Sequence, residues 1–187
     1  LAKHLIDRFS LKDVKVEVTE LGDHYDPIEK KVRLLREHYD SKSLTAIAIA
    51  AHEVGHAIQD QQGDKRLATR TKMAPVVDKV ARWSVAIIYL SPVIGIITRH
   101  PMPFSLLLLL GLCGFIARMM VHVVTLPIEF DASFSKALPL LREGNYVSQS
   151  NEKAVSRILR AAALTYVSAA LADILNLGRW MVILLRR

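Results

Sequence analysis

Cysteine is almost absent: Cys113 is the only one in 187 residues. That excludes an internal disulfide and a cysteine-rich zinc site. Cys113 lies in an apolar run, where a small core side chain is expected. Aromatic residues make up only 6%, and no stretch interleaves them with basic residues as an RNA-binding module does, so no nucleic acid partner is expected. No secretory leader is recognisable at the start, because residues 1–9 are few and are broken by Lys3, Asp7 and Arg8. Internal repeats and low-complexity linkers are also missing. What remains is 51% hydrophobic and 23% charged, with a formal net charge of +7. Such a mixture points to apolar segments joined by polar ones, with lysines and arginines placed beside an anionic membrane.

Read along the chain, residues 1–9 suit a short amphipathic helix. Val14, Val16 and Val18 alternate with Lys15, Glu17 and Thr19, the period of a half-buried strand. Residues 22–27 (GDHYDP) have the composition of a turn, and Val32 and Leu34 continue a second strand, which together predict a β-hairpin. Ser41 and Ser43 are candidate helix N-caps. From 44 to 62 the chain is alanine-rich and free of proline, which favours helix, and Gly63 is placed to end it. A basic stretch with Lys65, Arg66, Arg70, Lys72, Lys79 and Arg82 follows. Three apolar runs come next, at about 83–98, 104–128 and 161–185, the last closed by Arg186 and Arg187. The first is short against the roughly 20 residues that cross a bilayer. The leucine density of the second and the flanking basic residues favour insertion over a soluble bundle. Residues 129–160 form a polar, partly helical segment broken at Gly144-Asn145.

The chemistry lies in His52-Glu53-Val54-Gly55-His56, an HExxH pattern. Histidines four apart on a helix share one face, and two neutral imidazole nitrogens at about 2.0–2.1 Å can bind one zinc ion. Glu53 need not bind metal. It is placed to take a proton from the attacking water and deliver it to the leaving amine. The uncharged neighbours Ala48 to Ala51, Val54, Gly55, Ala57 and Ile58 suit a helix buried beneath its metal. Gly55 lowers helix propensity by about 1 kcal/mol, which close packing would explain.

Catalytic zinc sites usually take three protein ligands, and no third histidine follows at a metzincin spacing. A distant carboxylate is therefore required. Glu129 is the candidate ligand, because it follows a long apolar run where an unpaired charge is costly. Asp131 is the alternative, or a partner that orients a histidine. Two crossings return the chain to the side of the His52–His56 helix. Basic residues flank that side, whereas the short connecting loop offers only Arg99 and His100, so the site is expected to face the cytoplasm.

Taken together, these stretches resemble the YugP-like family of neutral zinc metallopeptidases of bacterial membranes. The residues that carry the resemblance are Asp23-His24-Tyr25-Asp26-Pro27, Val32-Arg33-Leu34, and the run from Ala50 to Gln59. Leu126 to Ser133 and Arg160 to Val167 complete it. The resemblance implies a minimal gluzincin core with a single zinc ion, and a further apolar helix preceding Leu1. It also implies Glu129 as the third ligand, with the family's orienting aspartate replaced by Ser133 four residues on. By the same comparison, 31–35 would be the edge strand that holds substrate, and His24 and Tyr25 would donate hydrogen bonds to the oxyanion or contact the substrate.

The expected fold is thus mainly α and membrane-embedded. One domain spans 1–187: a small N-terminal β-hairpin packed by the active-site helix (1–82), two or three transmembrane helices, and a cytoplasmic helical segment (129–160). The expected activity is a zinc endopeptidase of the bacterial cell membrane. It would cleave a protein or peptide substrate through a metal-activated water at the cytoplasmic face. The alternative is a membrane protein with a structural or regulatory zinc and no catalysis, which needs a fourth protein ligand; no cysteine or histidine is obviously placed for it, although Asp131 could serve. A basic membrane-surface adaptor without metal is a third reading, which leaves Glu53 between the histidines without a purpose.

Overall fold

The computed structural model describes residues 1–185, leaving out the side chains of Leu177, Trp180 and 181–185. The closing pair Arg186 and Arg187 lies outside the described residues. The order is α1 (Ala2–Arg8), β1 (Lys15–Thr19), β2 (His24–Asp26), β3 (Lys31–Leu35), α2 (Arg36–Tyr39), α3 (Leu44–Gln61), α4 (Lys65–Thr98) and α5 (Pro101–Phe130). A π-helical segment (Asp131–Ala137), α6 (Leu138–Glu143) and α7 (Glu152–Leu185) complete it. The protein is mainly helical, with a small sheet near the N-terminus.

That sheet departs from the expected one. Residues 24–26 form a strand, not part of a turn, and the strand order is β1-β3-β2. β1 pairs with β3 in parallel, so the hairpin is made by β2 and β3. Residues 24–26 become a strand by pairing with β3, and Tyr25 ties that strand to α3. Its ring is buried at 6% exposure, and its hydroxyl donates to Asp60 of α3 at 2.7 Å, which draws the segment against the helix. The turn falls later, where Asp26 Oδ1 accepts from the backbone N–H groups of Ile28 and Glu29, an Asx arrangement. A further consequence is that Lys31–Leu35 is the central strand, and the expectation that it forms a substrate-binding edge is overturned.

The helix α3 forms as its sequence dictates. Ser43 Oγ caps it by accepting from the N–H of Ala46. At the other end Gly63 adopts φ +69°, and the N–H of Asp64 reaches back to the carbonyl of Gln59, a Schellman-type stop. Gly144 and Asn145 likewise end α6, with Asn145 at φ +51°.

The chain divides into two compact units. The first, 1–68 with 126–165, holds a core in which Leu5, Val32, Leu34, Val54, Leu141, Val155 and Leu159 are fully buried around α3. The second, 69–125 with 166–187, holds most of the long helices. Within it α5 approaches α4 closely, since a Cβ on Gly114 would collide with Ser84. Arg118 Nε of α5 lies 3.1 Å from Asp173 of α7.

α4, the stretch from α5 through α6, and α7 are each long and apolar enough to cross a membrane. Trp83, Ile97, Leu109 and Leu175 among others turn outward, as side chains facing hydrocarbon do. Cys113 is exposed on α5 and is not the core residue expected, because that helix is apolar on more than its packed face.

Candidate metal centre

One face of α3 carries His52, Gly55, His56 and Gln59, at positions i, i+3, i+4 and i+7. The C-terminal end of α5 and the π-helical segment pack against this face. Gly55 permits the approach: a Cβ there would lie 2.7 Å from the carbonyl oxygen of Ala132. The close packing expected at Gly55 is therefore present, and its neighbour is the backbone beside Glu129.

His52, His56 and Glu129 meet in the resulting space and are all buried; their ligand atoms lie within 4.8 Å of one another. His52 Nε2 is 3.2 Å from Glu129 Oε2, and His56 Nε2 is 3.4 Å from the same oxygen. Ligands bound to zinc at about 2.0–2.2 Å in a tetrahedron are separated by about 3.3–3.6 Å. These separations are close to that spacing.

The second nitrogen of each ring is also occupied. Ser133 Oγ sits 3.0 Å from His52 Nδ1, while the same hydroxyl faces the carbonyl of Leu159 at 3.2 Å. With its own hydrogen donated to that carbonyl, Ser133 Oγ accepts a hydrogen bond from Nδ1–H of His52. Gln59 makes the matching contact on His56. Its Oε1 lies 2.9 Å from Nδ1, and its amide nitrogen donates to the carbonyl of Ile128 and to Asp131 Oδ2. Both acceptors fix the amide so that oxygen faces His56. Each histidine then carries its proton on Nδ1 and turns a lone pair on Nε2 toward Glu129. Two lone pairs and a carboxylate oxygen converge in a buried space, an arrangement that a bound cation satisfies. The donor set fits zinc.

Glu53 lies on the adjoining face of α3, at 7% exposure. Burial pushes its carboxyl up to about 7, and the charges of Glu129 and Asp23 add to the rise, while His52 and the backbone N–H of Tyr25 pull it back. Edge strand β2 is therefore the strand beside Glu53. Tyr25 reaches the site through its backbone, since its hydroxyl is committed to Asp60. His24 donates from its ring to the carbonyl of Gly22 at 2.8 Å. Asp131 contacts neither histidine and meets Gln59 instead. Gln59 has no role assigned from the sequence, and Ser133 stands where the family's orienting aspartate is expected. A glutamine three residues past a metal-pattern histidine, on the same helical face, is the signal that the sequence carries.

A family model described as "Putative neutral zinc metallopeptidase" matches residues 1–185. The chain belongs to this family. It is also similar to the "Putative membrane protease YugP" of Bacillus subtilis (strain 168), with 36% identity over 186 residues, covering 98% of this chain and 79% of the relative. No solved structure matches it. Family and relative accord with a zinc peptidase of the membrane.

Proposed function

We propose that this protein is a zinc-dependent membrane endopeptidase in which His52, His56 and Glu129 hold one zinc ion and Glu53 is the general base. The observation that carries this reading is the convergence of His52 Nε2 and His56 Nε2 on the Glu129 carboxylate, with Glu53 on the neighbouring face of α3. Zinc bound there supplies a Lewis acid that activates water and polarises the scissile carbonyl. Glu53 accepts the proton of the attacking water and returns it to the leaving amine. A carboxyl raised toward neutrality by burial suits both halves of that transfer. Substrate pairs as an added strand along β2, whose backbone adjoins Glu53, and His24 lies on the same strand to contact it.

The active site faces the cytoplasm. Basic residues are gathered at 65–82 and 136–160, and the link between α4 and α5 offers only Arg99 and His100.

The test is cleavage of casein by the purified full chain in detergent micelles. Activity should vanish with a zinc chelator, return with added zinc, and fall by about 10²–10⁴-fold in Glu53→Gln while that variant still binds zinc. Wild-type turnover in Glu53→Gln would remove the mechanism. Zinc retained with no cleavage by the wild type would favour a structural ion.

A further inference from the structure

We propose that Gln59 is the positioning residue that holds His56 and the Glu129-bearing end of α5 in one arrangement, and that Asp131 acts on the centre only through Gln59. The inference rests on the zinc reading above and deepens it.

Gln59 is 1% exposed, and its side-chain amide makes its hydrogen bonds inward, at the site. It accepts from His56 Nδ1 at 2.9 Å and donates to the carbonyl of Ile128 at 2.9 Å and to Asp131 Oδ2 at 2.7 Å. Ile128 and Asp131 bracket Glu129 in the chain. One side chain thus ties a ligand histidine to the backbone directly before the third ligand and to the side chain two residues after it. A rotation of the Gln59 amide would set oxygen against two acceptors and NH₂ against His56 Nδ1–H, so the two contacts on α5 and the π-helical segment lock the tautomer of His56. Asp131 supplies one of those two acceptors. Asp131 is itself not among the converging ligands.

The arrangement predicts an exchange of polarity between the two positions. Gln59→Glu keeps an acceptor for His56 but opposes two carboxylates across the 59–131 contact and a carboxylate to the Ile128 carbonyl. Asp131→Asn in that background supplies an amide that donates to the new carboxylate. Zinc affinity of the full chain in micelles is measured by competition with a chromogenic chelator for wild type, Gln59→Leu, Gln59→Glu, Asp131→Asn and the double variant Gln59→Glu/Asp131→Asn. Zinc-free thermal unfolding is recorded beside it.

Gln59→Leu should bind zinc about 10–100-fold more weakly, the usual loss on removing a ligand's hydrogen-bond partner. Gln59→Glu should be weakened at least as much, and the double variant should recover at least tenfold over Gln59→Glu. Absence of zinc binding by the wild type would sink the zinc reading itself. Normal wild-type binding with no recovery in the double variant would overturn only the coupling proposed here. So would zinc affinities that merely follow the zinc-free unfolding temperatures, since Gln59 would then be a packing residue. If Gln59→Leu does not fold, the comparison of Gln59→Glu with the double variant decides.

Discussion

Gly55 faces the backbone of Ala132: a Cβ at Gly55 would stand only 2.7 Å from the carbonyl oxygen of Ala132, too close for any side chain there. The pair sets how closely the histidine face of α3 approaches the segment that carries Glu129 and Ser133. Nothing flexible lies at the point of contact, so a larger residue must move a helix.

Gly55→Ala should therefore destabilise the protein despite better helix propensity. Overpacking costs about 1–3 kcal/mol, and the gain from replacing glycine is about 1 kcal/mol, so the net effect is a modest loss of stability. Zinc affinity should fall further than stability, because the histidines and Glu129 are pushed apart. Thermal unfolding with and without zinc measures both. A variant as stable as wild type with unchanged zinc affinity would show that the approach is looser than the backbone contact indicates.

Ser133 holds His52 as Gln59 holds His56. Ser133→Ala removes the acceptor 3.0 Å from His52 Nδ1 and should weaken zinc binding by about 10–100-fold. The chain should still fold, because the hydroxyl's other contact is one carbonyl bond to Leu159. Chelator competition reads the loss, and affinity within threefold of wild type would show that His52 is oriented by packing alone.

Much of this site is legible in the sequence because its determinants are local. The spacing of His52 and His56, the cap at Ser43 and the stop at Gly63 lie within one helix, where periodicity and capping chemistry speak directly. Glu129 is found by the cost of a charge at the end of an apolar run. β2 is hidden because Gly22, Asp23 and Pro27 imitate a turn, whereas 24–26 pairs with β3 and is held on α3 by the distant bond from Tyr25 to Asp60. Parallel pairing of β1 with β3 is likewise a long-range choice. The contacts of Gln59 and Ser133 escape for the same reason: their partners lie across the chain, and a π-helical segment in place of regular helix decides which side chains of 131–137 face α3.

Orientation in the membrane is open to cysteine labelling in sealed, oriented vesicles, with Cys113 replaced by serine. A cysteine at position 65 should be protected from an impermeant reagent outside, and one at position 100 should react. The reverse pattern would place the catalytic face outside.

The central claim is that Glu129 completes the metal site, and zinc affinity of two carboxamide variants tests it most directly. Glu129→Gln removes the carboxylate on which His52 and His56 converge, whereas Asp131→Asn alters a residue whose carboxylate accepts from Gln59. Measured by chelator competition on the full chain, Glu129→Gln should lose more than the roughly 10–100-fold typical of an indirect contact, and Asp131→Asn should stay within that range. The opposite order would transfer the ligand role to Asp131 and contradict the account.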